Sequence, residues 1–322
     1  MTDSFGRTIN YLRLSITDRC NLRCVYCMPP DGVRLFPREQ ILTFEEIVRL
    51  CGIFAGLGIN YIRVTGGEPM ARNGAANLIR KLKAVNNIQQ VAMTSNGILL
   101  YDHLEELTDA GLDSLNISLN TLNEETFRRI TLSEGLHKVL AALDHAAASG
   151  LPVKVNCVPL QNINEQEIVQ IAALAKDRNI AVRFIELMPM SCGGDFEAVP
   201  ADEVLAALEK AYGTLTPFTG RLGNGPAVYY EAKNFRGKLG FISALSHEFC
   251  KSCNRLRLTA GGILKPCLAA GTGLDLKNMM RTGASDADIV LAVKGLAAEK
   301  PLRHGFEYSY KNGQQEMFRI GG

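Results

Sequence analysis

The sequence predicts an α/β fold: an incomplete (β/α)6-type barrel with a C-terminal mixed antiparallel-sheet and helix domain. Three observations lead there. Between residues 11 and 210, six short runs rich in Val, Ile, Leu and Thr alternate with longer runs of helical period, and repeated strand–helix units imply parallel strands joined by crossovers. After residue 212 the texture changes to short strands with glycine-containing connections. A chain of 322 residues, 47% hydrophobic and 21% charged, can bury roughly three quarters of the surface its unfolded form exposes.

In chain order, the barrel strands are read at 12–17, 61–65, 90–94, 114–119, 153–160 and 181–187, from their length and β-branched content. The helices between them fall at 43–55, 74–85, 102–110, 134–149 and 163–176. Thr43 with Glu46 forms a capping-box signature, and Gly150 is a helix stop. A further helix is read at 202–212. Strands at 215–219, 227–232, 238–243 and 255–259 then form an antiparallel unit, followed by helices at 275–281 and 286–300. The turn-rich TGRLGNGP after residue 218 divides the chain into a barrel at 1–218 and a C-terminal domain at 219–322.

Lys and Arg number 35 against 33 Asp and Glu, a net charge of +2, so no global field calls for nucleic acid. No apolar run approaches the roughly 18 residues of a membrane span, and MTDSFGRTINYLRLS has no signal-peptide core. A cytoplasmic protein with neither nucleic-acid nor membrane partners is expected. Its nine cysteines are far fewer than the roughly 8–10% of a disulfide scaffold, and in a reducing compartment clustered cysteines read as ligands. Cys51 and Cys157 sit in apolar patterns as buried thiols, and Cys192 has no reading.

Cys20, Cys24 and Cys27 are spaced C-x3-C-x2-C directly after the first strand. Three thiolates suit a four-iron cluster with one iron left open, since a [4Fe–4S] cubane normally takes four cysteines. An open iron can chelate the amino and carboxylate groups of S-adenosylmethionine; structural zinc is the alternative. Cys250, Cys253 and Cys267 make a second triad, C-x2-C-x13-C. With His247 it reads as a Cys3His zinc site, and without it as a second cluster. Arg255 and Arg257 share one strand face beside it, as a phosphate or carboxylate clamp or as exposed edge charges. Arg13 shares a face with Ser15 and Thr17, opposite Leu12, Leu14 and Ile16; Lys154 pairs likewise with Asn156. If Arg13, Arg63, Lys154, Arg255 and Arg257 converge, the substrate is strongly anionic, such as a nucleoside triphosphate.

The first triad with Tyr26 before its last cysteine, and the strand at 61–65 running into Gly66-Gly67-Glu68-Pro69, resemble the radical S-adenosylmethionine superfamily. LRLSITDRC, VRFIELMP, HEFCKSCNRLRLT and the terminal Gly321-Gly322 further resemble the GTP 3′,8-cyclases of molybdenum cofactor biosynthesis, over essentially the whole chain. The resemblance implies two [4Fe–4S] clusters, one on each triad, with guanine on the open iron of the second. It implies S-adenosylmethionine against Tyr26, Gly67, Ser118 and Met188, and GTP against Arg13, Arg63, Thr94, Lys154, Arg255 and Arg257. A tail ending in Gly321 and Gly322 would thread into the active site as a catalytic element. The implied partners are a low-potential electron donor and, downstream, cyclic pyranopterin monophosphate synthase. Hydrogen abstraction needs no general base, so His103, His137 and His145 are given no role. Asn120 in NISLN stands where the family often has Asp. Two other readings are a peptide-modifying radical enzyme with an auxiliary cluster and a non-catalytic two-cluster electron carrier.

Overall fold

The computed structural model describes residues 1–306 and 317–320. Strands β1 (Tyr11–Ser15), β2 (Tyr61–Thr65), β3 (Gln90–Ser95), β4 (Ser114–Ser118), β5 (Val153–Cys157) and β6 (Ala181–Ile185) lie side by side in sequence order, each parallel to the next. The connections carry helices α1 (Phe44–Gly56), α2 (Ala75–Lys83), α3 (Leu104–Asp109), α4 (Glu124–Thr131), α5 (Leu136–Ala148) and α6 (Ile168–Ala173). Alternation along each strand decides what faces what. Leu12, Leu14, Ile62, Val64, Val91, Met93, Leu115, Ile117, Val155, Val182 and Phe184 belong to the buried core against the helices, each stabilising the fold by roughly 1.5–3 kcal/mol. The intervening residues, Arg13, Arg63, Thr94, Asn116 and Arg183 among them, line a cavity on the other face.

The sheet is open and continues past both ends of this six-strand set. Beyond β6 come β9 (Lys238–Ile242), parallel to it, and then antiparallel β8 (Val228–Glu231) and β7 (Thr216–Phe218), which follow helix α7 (Ala201–Tyr212). Beyond β1 come β10 (Arg255–Leu258), parallel to it, and antiparallel β11 (Ile263–Lys265) and β12 (Leu274–Asp275). Helices α8 (Leu276–Arg281) and α9 (Asp286–Ala298) follow. The strand expected at 255–259 therefore does not join the antiparallel unit with β7, β8 and β9. It leaves for the opposite edge, where Leu256 and Leu258 register beside Leu12 and Leu14 and complete the same apolar layer.

Other differences lie at element ends. The Thr43 capping box forms, with Thr43 N donating to Glu46 at 2.7 Å and Glu46 N to Thr43 at 3.2 Å. Strand β5 stops at Cys157 rather than continuing to 160, because Val158 N donates to the Asn120 side chain (2.9 Å) and Pro159 has no N–H. The helix expected from 163 begins only at Ile168, behind a 3-10 turn at Glu165–Glu167. There Asn164, 1% exposed, accepts from Leu160 N at 2.7 Å and donates to the carbonyls of Asn120 (2.7 Å) and Val158 (3.1 Å). This one amide locks the loop after β4 to the loop after β5. Replacing it with Leu leaves three backbone groups unmet, so Asn164→Leu should lower the urea unfolding midpoint by the equivalent of about 3 kcal/mol; an unchanged midpoint would show that water replaces the amide.

Candidate active site

Both cysteine triads border one cavity, from opposite ends of the parallel strands: the first follows β1, whereas Cys250 and Cys253 precede β10, which runs parallel to β1, and Cys267 follows antiparallel β11. The first is carried by the loop after β1. Two features hold that loop against the loop after β2: Gly67 N donates to Thr17 O (2.8 Å) and Glu68 N to Arg19 O (2.7 Å). The approach is close enough that a Cβ on Gly66 would fall 2.6 Å from Thr17 O, which is why glycine stands there. Arg72 anchors the root of the loop, donating to Ile16 O (2.5 Å) and Leu42 O (2.8 Å) with its guanidinium 4.2 Å from the Phe44 ring.

Burial pushes the Cys20 thiol up to about 11. Burial and then Cys20 push Cys24 up to about 12, against a hydrogen bond with Tyr26. Cys27 is raised by burial and by both neighbouring thiols. Arg23 acts on Cys20 alone, so three crowded thiolates call for a metal centre to carry more positive charge. Beside them Glu68, 1% exposed, is pushed up to about 7 by burial, although Asn96 N (2.6 Å), Ser95 Oγ (2.9 Å) and Met70 N (3.0 Å) all donate to it. Thr65 Oγ1 and Asn116 Oδ1 are buried in the cavity wall without a hydrogen-bond partner among the described residues, as befits a wall that receives a polar ligand.

The second triad has the opposite electrostatics. Burial raises Cys250, but at Cys253 burial is outweighed by Arg255 and Lys300, which bring the thiol down to about 6. His247 takes no part: it is exposed and its Nδ1 lies 3.1 Å from Ser246 Oγ. His304 occupies the place expected of it, grouped with Glu248 and Cys250 so that their ligand atoms lie within 4.8 Å of one another.

Between the triads runs a row of guanidiniums. Arg257, Arg13 and Arg63 register directly across β10, β1 and β2. Arg63 and Arg257 are buried, and burial followed by the neighbouring cations drives Arg13 well down and Arg257 down to about 10. Arg63 donates to Tyr11 Oη at 2.5 Å, and Tyr11, which burial alone would raise, is lowered by Arg63, Arg13 and Arg255. Arg183, which sequence reasoning passed over as part of a strand, joins the wall and donates to Asn156 Oδ1 (2.9 Å from Nε). Its signal was its period-two spacing from Ala181 and Ile185 on the cavity face. Lys154 is buried on β5, on the same strand face as the cavity-lining Asn156; burial, then Arg183 and Arg63, lower it to about 7. Tyr26, Gly67, Thr94, Ser118, Met188, Arg13, Arg63, Arg255, Arg257 and all six triad cysteines line the cavity. Cys51 and Cys157 are buried in the core and Cys192 is half-buried. Gly321 and Gly322 lie outside the described residues.

Residues 14–175 match the Radical SAM superfamily and residues 180–306 match Molybdenum Cofactor Synthesis C. The GTP 3′,8-cyclase of Pelotomaculum thermopropionicum is 43% identical over 326 residues, and that of Clostridium perfringens 41% over 323, each match covering 100% of both chains. The chain belongs to the GTP 3′,8-cyclase family. Molybdenum cofactor biosynthesis protein 1 of Dictyostelium discoideum is 38% identical over 327 residues, which are 100% of this chain and 52% of that one. In fold the chain is similar to Streptococcus suis SuiB bound to S-adenosylmethionine, with a TM-score of 0.63 and 13% identity over 91% of this chain and 67% of that one. Membership implies S-adenosylmethionine and one [4Fe–4S] cluster, and the raised thiols of Cys20, Cys24 and Cys27 beside a polar, unsatisfied wall fit both.

Asn120 is held at both ends of its amide. Its Oδ1 accepts from Val158 N, which fixes the amide orientation, and its Nδ2 donates to Tyr26 Oη at 2.8 Å. The phenol proton is thereby left for the Cys24 sulfur. A carboxylate at 120 would take that proton instead. Asn120→Asp should therefore shift the midpoint potential of the first cluster to a more negative value, since a thiolate hydrogen bond favours the more negative reduced state. Electron paramagnetic resonance titration measures it, and Tyr26→Phe should move it the same way. Unshifted potentials in both variants would show that the phenol does not act on Cys24.

Proposed function

We infer that the chain is a radical S-adenosylmethionine GTP 3′,8-cyclase acting in molybdenum cofactor biosynthesis. The observation that carries the reading is the in-register row Arg257, Arg13 and Arg63 between two cysteine triads. Like charges opposite one another in a sheet are destabilising, and a bound triphosphate relieves them. When bound, S-adenosylmethionine and its cluster would supply, at the cost of one electron, a 5′-deoxyadenosyl radical to take hydrogen from C3′ of GTP; C3′ would then bond to C8, and a second electron with a proton would give 3′,8-cyclo-7,8-dihydro-GTP.

The chain's own contribution is holding, orienting and excluding water. Cys20, Cys24 and Cys27 hold the first cluster, and Tyr26, Gly67, Ser118 and Met188 surround S-adenosylmethionine. Arg13, Arg63, Lys154, Arg255 and Arg257, with Thr94, take the nucleotide. Cys250, Cys253 and Cys267 hold a second [4Fe–4S] cluster whose open iron meets the guanine. Gly321 and Gly322 complete the site in this reading. We retain 1–218 and 219–322 as the barrel and auxiliary-cluster units, joined through one continuous sheet. A low-potential donor supplies electrons, and cyclic pyranopterin monophosphate synthase takes the product. A cytoplasmic setting suits nine free thiols, and among the described residues no helix is long and apolar enough to cross a membrane. A peptide substrate would leave the arginine row without a purpose.

Anaerobically reconstituted protein should bind about eight irons, two cubanes' worth, and with reductant, S-adenosylmethionine and GTP should release 5′-deoxyadenosine and cyclised GTP. Adenosine release with GTP untouched would overturn the cyclase reading and leave the radical chemistry standing. Arg257→Ala should weaken GTP binding about tenfold to a hundredfold, the value of one charge-assisted hydrogen bond, with iron content and thermal stability of the nucleotide-free protein undiminished. Loss of iron with GTP affinity intact would make the arginine structural.

A further inference from the structure

Lys300 lies two residues past the end of α9, yet it is 1% exposed. A lysine is almost never buried so completely unless its ammonium is matched. Its Nζ donates to Arg255 O at 2.9 Å and to Pro266 O at 2.5 Å. Arg255 is two residues after Cys253, and Pro266 immediately precedes Cys267. The same ammonium faces the sulfurs of Cys253 and Cys267 and borders the cavity. Its third proton has no acceptor among the hydrogen bonds of the described residues.

The third cysteine is braced by a second buried cation. Arg7 pairs with Asp3 in a salt bridge whose side chains are 5% and 0% exposed. It donates to Cys250 O at 2.8 Å and to the carbonyls of Lys300 (3.1 Å) and Pro301 (2.9 Å). Arg7 thus holds the backbone of Lys300 while Lys300 holds the two strands, and all three ligand positions are tied to one point.

We propose that Lys300 is the positioning residue of the auxiliary cluster: it sets the spacing of Cys253 and Cys267 through two backbone carbonyls and supplies the positive charge that their thiolates face. This rests on the reading of the second triad as a [4Fe–4S] site. Charge and hydrogen bonds beside the sulfurs set a cluster's potential, and a cation there favours the reduced state.

The test uses the full chain with Cys20, Cys24 and Cys27 replaced by Ala, so that only the auxiliary cluster is present. This background should take up about four irons; zinc or no metal in their place would sink the two-cluster reading itself, whatever Lys300 does. In it, Lys300→Gln keeps donors for the carbonyls but loses the charge, and Lys300→Met loses both. Both should shift the midpoint potential to a more negative value, and Lys300→Met should also surrender iron to a chelator several-fold faster. A midpoint unchanged in Lys300→Gln overturns the proposal. If neither variant takes up the auxiliary cluster, the same substitutions are made with the first triad intact. A first cluster that still loads there supports the positioning role, whereas loss of both clusters makes Lys300 a folding residue and overturns it.

Discussion

Positive charge packed at strand spacing is the constraint on which the rest of this molecule depends. Arg257, Arg13 and Arg63 sit on adjacent strands, and neighbouring strands are about 4.8 Å apart. At an effective dielectric near 20, unit charges at that distance repel by on the order of 3 kcal/mol. The opposite faces of the same strands supply the compensation, since Leu256, Leu258, Leu12, Leu14, Ile62 and Val64 are all buried against the helices. One sheet thus provides both the strain and the core that withstands it, and an anion entering the cavity meets a surface already assembled.

The two triads respond to their surroundings in opposite senses. Around Cys20, Cys24 and Cys27, burial and mutual repulsion keep the thiols protonated until a metal centre arrives. Cys253 is held low by Arg255 and Lys300 before any metal is present. Arg255 and Lys300, which favour thiolate at Cys253, border the same cavity as the arginine row, so the second triad and the row share their electrostatics.

Much of this was legible in the sequence because period two survives as a physical fact. Alternation in LRLSI, and the placing of Arg63, Thr94 and Lys154 within apolar runs, located the polar face before any coordinates. The triads were legible from spacing. What stayed hidden depends on contacts distant in the chain. Strand 255–259 resembled its neighbours in composition, and only pairing with β1 sends it to the far edge. His247 stood at metal-ligand spacing, but a turn carries it outward while His304 comes in from 54 residues beyond Cys250. Lys300 looks like any helix-terminal lysine until two carbonyls close over it. Arg183 was readable on the same alternation as Arg13 and was overlooked among apolar neighbours.

The pairing of β10 with β1 joins residues 255–258 to residues 11–14. A ribosome delivers the N-terminal part of a chain first, at about 5–20 residues per second. The first cysteine triad and the loops that frame it exist early in synthesis, whereas the arginine row is complete only once Arg257 has emerged and found Arg13. The arginine row thus depends on residues 244 positions apart, and it cannot form until most of the chain has left the ribosome.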